Sequence, residues 1–347
     1  MSELPLISIV IPTYNEGRRI GNCLDSIFVQ DYPRDKLEVI VVDDYSADDT
    51  VKIASRYPVK TLFSGNHDAE ISKMIGLRSS TGDLFFYLDA DIELVDKSWL
   101  KKVVRPLIED ESLVGSFPRF IPKRTDFAIG RFLRYHPLEL DPVLRFFCTE
   151  IEDTVVDDKG SYKICEFYER KTPPVGIGVY RREPLIKMIG GMKKFMDVDV
   201  PVILSEMGFN RFAYVPSCGI FHTNVRSLRD LIQRRLRNIN KIYLPSVETR
   251  KFRYFDLRNK RDIIKIIFWV ICAFSFVPLL LKGTYNTIKN KDFACMYEPI
   301  VAMALTATII YGFLRAKKGR KMILHSLSVT KVNNRSMKKD GADKYAD

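Results

Sequence analysis

At 347 residues with 46% hydrophobic content, the chain has ample apolar material for one domain core and about a third of its length left over. Its formal charge of +12 gathers around hydrophobic stretches near the C-terminus instead of along a groove-sized surface, which argues against a nucleic-acid-binding protein. Six scattered cysteines with no C-x-x-C pair exclude a disulfide framework and a zinc site, and read as reduced packing residues of a cytoplasmic domain.

No signal sequence is expected, because the first strand starts at Ile7 without a basic leader. That strand, Ile7 to Ile11, runs into the polar turn Pro12-Thr13-Tyr14-Asn15-Glu16. A helical pattern follows, with Ile20, Leu24, Ile27 and Phe28 on one face, then the strand Val39 to Val42 ending at Asp43-Asp44. Next come a helix from about Asp48, the apolar patch Val59 to Phe63, a helix near Glu70 to Ser79, and the run Leu84 to Leu88 that stops at Asp89-Ala90-Asp91. Strands alternating with helices predict an α/β fold with a parallel sheet, and ligands of such sheets bind outside the carboxyl ends of the strands. The polar clusters fall there. Two aspartates spaced i, i+2 at the end of a buried strand can place hard oxygen ligands beside one divalent cation, the usual way to hold a nucleoside diphosphate; taken alone they also suit a turn or a helix cap.

Pro12-Thr13-Tyr14-Asn15-Glu16, Val42-Asp43-Asp44-Tyr45-Ser46, Lys73-Met74-Ile75-Gly76-Leu77 and Asp89-Ala90-Asp91, in this order and spacing, resemble the family 2 glycosyltransferases of the GT-A fold. The resemblance covers roughly residues 5 to 225. It implies a Rossmann-like mixed, mostly parallel sheet flanked by helices. It also implies that Pro12, Thr13, Tyr14 and Glu16 line the nucleotide, that Asp44 accepts from the base ring, and that Asp91, with Asp89 nearby, holds magnesium or manganese on the diphosphate. Lys73 stands where the family commonly has arginine; it brings positive charge without a bidentate fork. By residue type alone, Glu16 equally suits a first-turn helix acid and Asp43 a turn former.

Counting back from Gly208, the resemblance puts the catalytic base at Asp197, with Asp199 left to cap the helix that Pro201 opens. His222 falls where the fold often supplies a third metal ligand, although a lone histidine after an apolar pair is as often a core residue. The implied donor is a nucleotide sugar, UDP favoured. A base tilts the acceptor toward a hydroxyl on a glycan or lipid-linked saccharide, since a polyprenyl phosphate is already ionised and needs none. A sugar-nucleotide pyrophosphorylase is a weaker alternative, because residues 12–17 offer no Gly-rich basic phosphate loop. A non-enzymatic basic membrane protein is weaker still.

Residues 117–175 mix aromatics with Arg131, Arg134 and Arg145, a pattern that suits core packing slightly better than an acceptor-binding wall. From Arg226 through Lys265 the chain carries 13 Lys+Arg against 4 Asp+Glu, and Leu228, Leu231, Ile232, Leu236, Ile239 and Ile242 keep helical spacing. This reads as a basic amphipathic helix on an anionic membrane surface, with linker, over 226–262. Ile263 to Leu281 and Ala294 to Leu314 are each about the ~20 residues that cross a bilayer. A transmembrane helical hairpin over 263–314 with both ends inside is the preferred topology, a shallow re-entrant hairpin the alternative. Residues 315–347 read as a basic, disordered cytoplasmic tail, and residues 1–225 as the catalytic domain.

Overall fold

The computed structural model describes residues 3–168, 170–192, 194–222 and 225–324. They fall into two compact units, one of residues up to 126, 133–139 and 148 to 222, the other of residues 127–132, 140–147 and 225 onward.

The first unit is built on one mixed sheet of β1 (Ile7–Thr13), β2 (Leu37–Asp43), β3 (Lys60–Phe63), β4 (Leu84–Tyr87), β5 (Ile92–Leu94), β6 (Gly115–Phe120), β7 (Val155–Asp158), β8 (Lys163–Glu166), β9 (Val179–Arg181) and β10 (Arg211–His222). The strand order is β3-β2-β1-β4-β9-β6-β10-β8-β7, with β5 pairing β10. β1 runs parallel to both β2 and β4, and β2 to β3. This is the half that the alternating strand and helix patterns predict. β9 is antiparallel to both β4 and β6, and β8 to β10, so the sheet is mixed. β1 is buried at all seven positions, as a central strand covered on both faces is, and its two polar members, Ser8 and Thr13, are hydrogen-bonded.

One close approach positions the site. A Cβ on Gly76 would lie 2.2 Å from Val10 Cγ1, so only glycine lets the helix Ala69–Ser79 settle this tightly on β1.

The second unit is helical, with Leu228–Asn238, Lys260–Ser275, Val277–Asn290 and Tyr297–Arg315 as its main elements. Arg131 pairs with Asp292 at 2.7 Å, Arg145 with the fully buried Glu298 at 2.6 Å, and Arg235 with Asp141. Arg131 and Arg145, set among aromatics in the sequence, are therefore consumed by ion pairs. Trp269 Nε1 donates to Thr306 Oγ1 at 2.9 Å, and Phe146 packs on Trp269 with ring centroids 4.9 Å apart.

The stretch Ile263 to Leu281, expected as one span, is two helices bent by 73°. The break is at Phe276, whose φ is 64°. Pro278 lies in the first turn of the second helix, where a missing N–H is tolerated but would interrupt a continuous helix. Phe293–Arg315 is the single helix among the described residues long and apolar enough to cross a membrane by itself. Residues 317–324 are helical, and the rest of the expected disordered tail lies outside the described residues.

Candidate active site

β1, β2 and β4 deliver their carboxyl ends side by side, and the expected site residues collect there in three groups. At the end of β2, Asp43 Oδ2 accepts from Thr13 Oγ1 at 2.8 Å and from Ser46 Oγ at 2.6 Å. Asp43 is thus a buried turn former that locks β1 to the β2 turn. Its neighbour Asp44 is also buried, with Oδ1 accepting from Ser64 Oγ at 2.9 Å and Oδ2 3.3 Å from His67 Nδ1. Tyr14 is 52% exposed and meets the His67 ring edge-on at 5.4 Å. Pro12 and Thr13 are the buried last residues of β1, so Tyr14 is the first side chain beyond the sheet.

The second group is a chain of ion pairs through Asp91. Glu16 accepts from Arg19 Nη2 at 2.9 Å, and Arg19 Nη1 lies 3.3 Å from Asp91 Oδ2. Burial lifts the Glu16 carboxyl above its ordinary value against the pull of Arg19. The other oxygen of Asp91 lies 3.3 Å from His222 Nε2, and His222 Nδ1 lies 2.5 Å from Glu139 Oε2. Burial alone would lower the His222 pKa, but the carboxylates of Glu139 and Asp91 outweigh it and push it up to about 10.

Lys73 organises the third group. Its buried ammonium donates to both oxygens of Asp197, at 2.9 and 2.8 Å, and lies 3.6 Å from Asp89 Oδ1 and 3.7 Å from Glu70 Oε1. It also lies 5.1 Å from the centroid of the Tyr87 ring, within cation–π range. Burial disfavours the ammonium, yet Asp197, Asp89 and Glu70 together hold its pKa well above the ordinary lysine value. Burial, then the charge of Asp197, holds the Glu70 carboxyl well above its usual range. Asp197 itself is raised by burial, against Lys73, which pulls it down. Asp199 occupies the N-cap position of the helix Val200–Glu206 without a side-chain cap bond.

All the site residues expected from sequence lie in these groups. Glu70, Arg19, Ser64 and Glu139 join them without having been expected. Glu70 had a readable signal, since it sits three residues before Lys73 on one helix and so shares its face. Glu139 had none.

Among the described residues no group of three or more His, Cys, Asp and Glu side chains is arranged to hold a metal alone. The 3.3 Å between Asp91 Oδ1 and His222 Nε2 is nonetheless close to the roughly 3 Å that separates two adjacent ligands bonded at about 2.1 Å to one cation. Two protein donors fit a divalent ion whose other positions go to diphosphate oxygens and water.

The mixed sheet, with carboxylates at the ends of its parallel strands, is the GT-A type of glycosyltransferase fold. Residues 8–174 match the model described as glycosyl transferase family 2, and belong to that family. The chain is similar to glycosyltransferase AglE of Haloferax volcanii, 33% identical over 109 residues, 30% of this chain and 36% of that protein. It is also similar to the dolichyl N-acetyl-alpha-D-glucosaminyl phosphate 3-beta-D-2,3-diacetamido-2,3-dideoxy-beta-D-glucuronosyltransferase of Methanococcus voltae, 33% identical over 91 residues, 24% of this chain and 28% of that protein. The matches thus span about a third of the length of these curated relatives. A solved mannosyltransferase of Pyrobaculum calidifontis, in complex with GDP-Man and Mn2+, shares the fold over 89% of this chain and 88% of its own, with a TM-score of 0.53 and 18% identity.

Proposed function

We propose that this protein moves a sugar from a nucleoside-diphosphate donor, UDP favoured, to a hydroxyl of a glycan or lipid-linked saccharide, inverting the anomeric centre. The observation that carries the reading is the Lys73 clamp: Lys73 meets both Asp197 and Asp89, so the candidate base and the first of the two paired aspartates share one ammonium although 108 residues separate them. In this reading Tyr14 and Asp44 receive the nucleoside, Thr13 and Glu16 shape the turn beside it, and Asp91 with His222 holds magnesium or manganese. When bound, that cation neutralises the charge growing on the diphosphate leaving group. Lys73 keeps the Asp197 carboxylate fixed and ionised while Asp197 takes the acceptor proton.

One observation favours a second reading. Lys73 holds both oxygens of Asp197, which suits an acceptor that needs no base, such as a polyprenyl phosphate. A panel of nucleotide sugars, offered to the purified protein with and without EDTA, tests the donor half of the proposal. It should show one donor releasing its nucleoside diphosphate only with metal present; no release from any donor would refute the reading. Offering glycan hydroxyls and polyprenyl phosphate to that donor separates the two acceptors.

The second unit is assigned to the membrane, with the catalytic residues at its cytoplasmic face. Ile264, Ile267, Phe268, Ile271 and Phe274 on one helix, and Val277, Leu281 and Ile288 on the next, are exposed, and basic residues flank them. The 73° bend favours a shallow re-entrant pair over a full crossing by these two helices, with Phe293–Arg315 as the one candidate span. Extraction by high salt alone would sink the assignment; resistance to salt with release by detergent is the expected result.

A further inference from the structure

His222 ends β10, and what stands behind it is unusual. Its Nδ1 lies 2.5 Å from Glu139 Oε2, while its Nε2 faces Asp91 Oδ1 at 3.3 Å. Glu139 is not a glycine, yet its φ is 51°, a left-handed backbone that side-chain-bearing residues adopt rarely. Its other oxygen accepts from Arg134 Nε at 3.0 Å. Arg134 is only 1% exposed and also donates to Asp126 Oδ2 at 2.6 Å, and that same oxygen accepts from the backbone N–H of Lys123 at 3.1 Å. Burying a guanidinium with its two carboxylates is unfavourable unless the geometry is held, and so is a left-handed glutamate. Both unfavourable features converge on the carboxylate that meets His222 Nδ1.

A histidine that binds a metal through one ring nitrogen ordinarily donates its other N–H to a carboxylate or carbonyl, which sets the tautomer and the ring plane. Glu139 meets that requirement on the Nδ1 side. We propose that Glu139 is a positioning residue: braced by Arg134 and Asp126, it keeps one His222 proton on Nδ1, so that when a cation displaces the other proton from Nε2 to solvent, the Nε2 lone pair faces the cation shared with Asp91. The inference rests on the reading that Asp91 and His222 take a divalent cation. Glu139 touches neither donor nor acceptor in this role. It acts through His222 alone.

The test is manganese binding to the full-length protein in detergent with UDP saturating, read as free Mn2+ by electron paramagnetic resonance. Three variants are compared with wild type: Glu139→Gly, Glu139→Ala and Glu139→Gln. Glu139→Gly removes the carboxylate while relieving the left-handed backbone, so folding should be as good as in Glu139→Ala or better. Glu139→Gln keeps an acceptor oxygen on the same stem. Glu139→Gly and Glu139→Ala should bind Mn2+ roughly 10–100-fold more weakly, the usual effect of losing such a partner, and Glu139→Gln should stay close to wild type. UDP binding without metal should be unchanged in all three. Wild-type Mn2+ affinity in Glu139→Gly, or equal losses in Glu139→Gln and Glu139→Gly, would overturn the positioning role and leave the cation site standing. Absence of Mn2+ binding by the wild type would overturn the cation site and the positioning role together.

Discussion

At the end of β2, where the nucleoside is proposed to sit, Asp43 and Asp44 are met by the hydroxyls of Thr13, Ser46 and Ser64, with the His67 ring beside Asp44. In the other two groups, Asp197, Asp89 and Glu70 share the buried ammonium of Lys73, and Asp91 lies between Arg19 and His222. Neutral partners fix a carboxylate's direction and leave its charge free to meet a ligand. Charged partners in a buried setting also set its protonation, because each member's ionisation depends on the others. The difference matches a division of labour in which one end recognises and the other manages charge during transfer.

The comparison breaks hardest at Lys73. Lys73→Met would leave three carboxylates crowded without their counter-ion, and breaking a buried pair in this way costs about 3–5 kcal/mol. Chemical denaturation should show a loss of that size together with the loss of transfer. Stability equal to wild type would mean that water already solvates the cluster. Next comes Asp91→Asn, which should weaken metal-dependent donor binding and transfer together, by more than the roughly 10–100-fold expected for a residue that only supports a ligand. Asp89→Asn should be milder. Unchanged activity at saturating metal would remove Asp91 from the site.

At the nucleoside end the effects should be smaller. Asp44→Ala should lower nucleoside diphosphate affinity on the order of tenfold, since a hydrogen bond to a charged group is worth about 1.5–3 kcal/mol. Ser64→Ala should lower it by about 1 kcal/mol or less, and a calorimetric titration series over both variants reads the order. An equal or larger loss in Ser64→Ala would mean that Asp44 is only structural.

The finest test is the acid limb of the rate profile. Burial raises the Asp197 pKa, and a base works only when deprotonated. Transfer should therefore fall as pH drops through a value above the ordinary ~3.9 of aspartate. A limb at or below that value would place Asp197 in a more solvated setting than its contacts with Lys73, Glu70 and Asp89 provide.

Much of this was legible in the sequence, and unevenly so. The parallel half of the sheet announced itself because each strand is an apolar run that stops at a polar cluster, and Asp44, Asp89 and Asp91 sit where those runs stop. His222 and Asp197 could be placed by counting along a family pattern, but their partners could not. Nothing in a sequence says that Lys73 reaches residue 197, or that a left-handed Glu139 turns back onto a histidine 83 residues later. Such contacts are made by tertiary packing between elements whose local patterns are independent. The broken helix at Phe276 was missed for another reason: hydropathy over Ile263 to Leu281 is continuous, and the stop lies in one residue, Pro278.

The central claim is that Asp197 acts on the acceptor while the rest of the site holds the donor, and Asp197→Asn tests it most directly. Donor affinity and transfer to the hydroxyl acceptor would be measured side by side on the same preparation. Donor affinity close to wild type with transfer reduced by ~100-fold or more, the scale of general-base catalysis, is the predicted result. Near-normal transfer by Asp197→Asn would contradict it and turn the search to an acceptor that arrives already ionised.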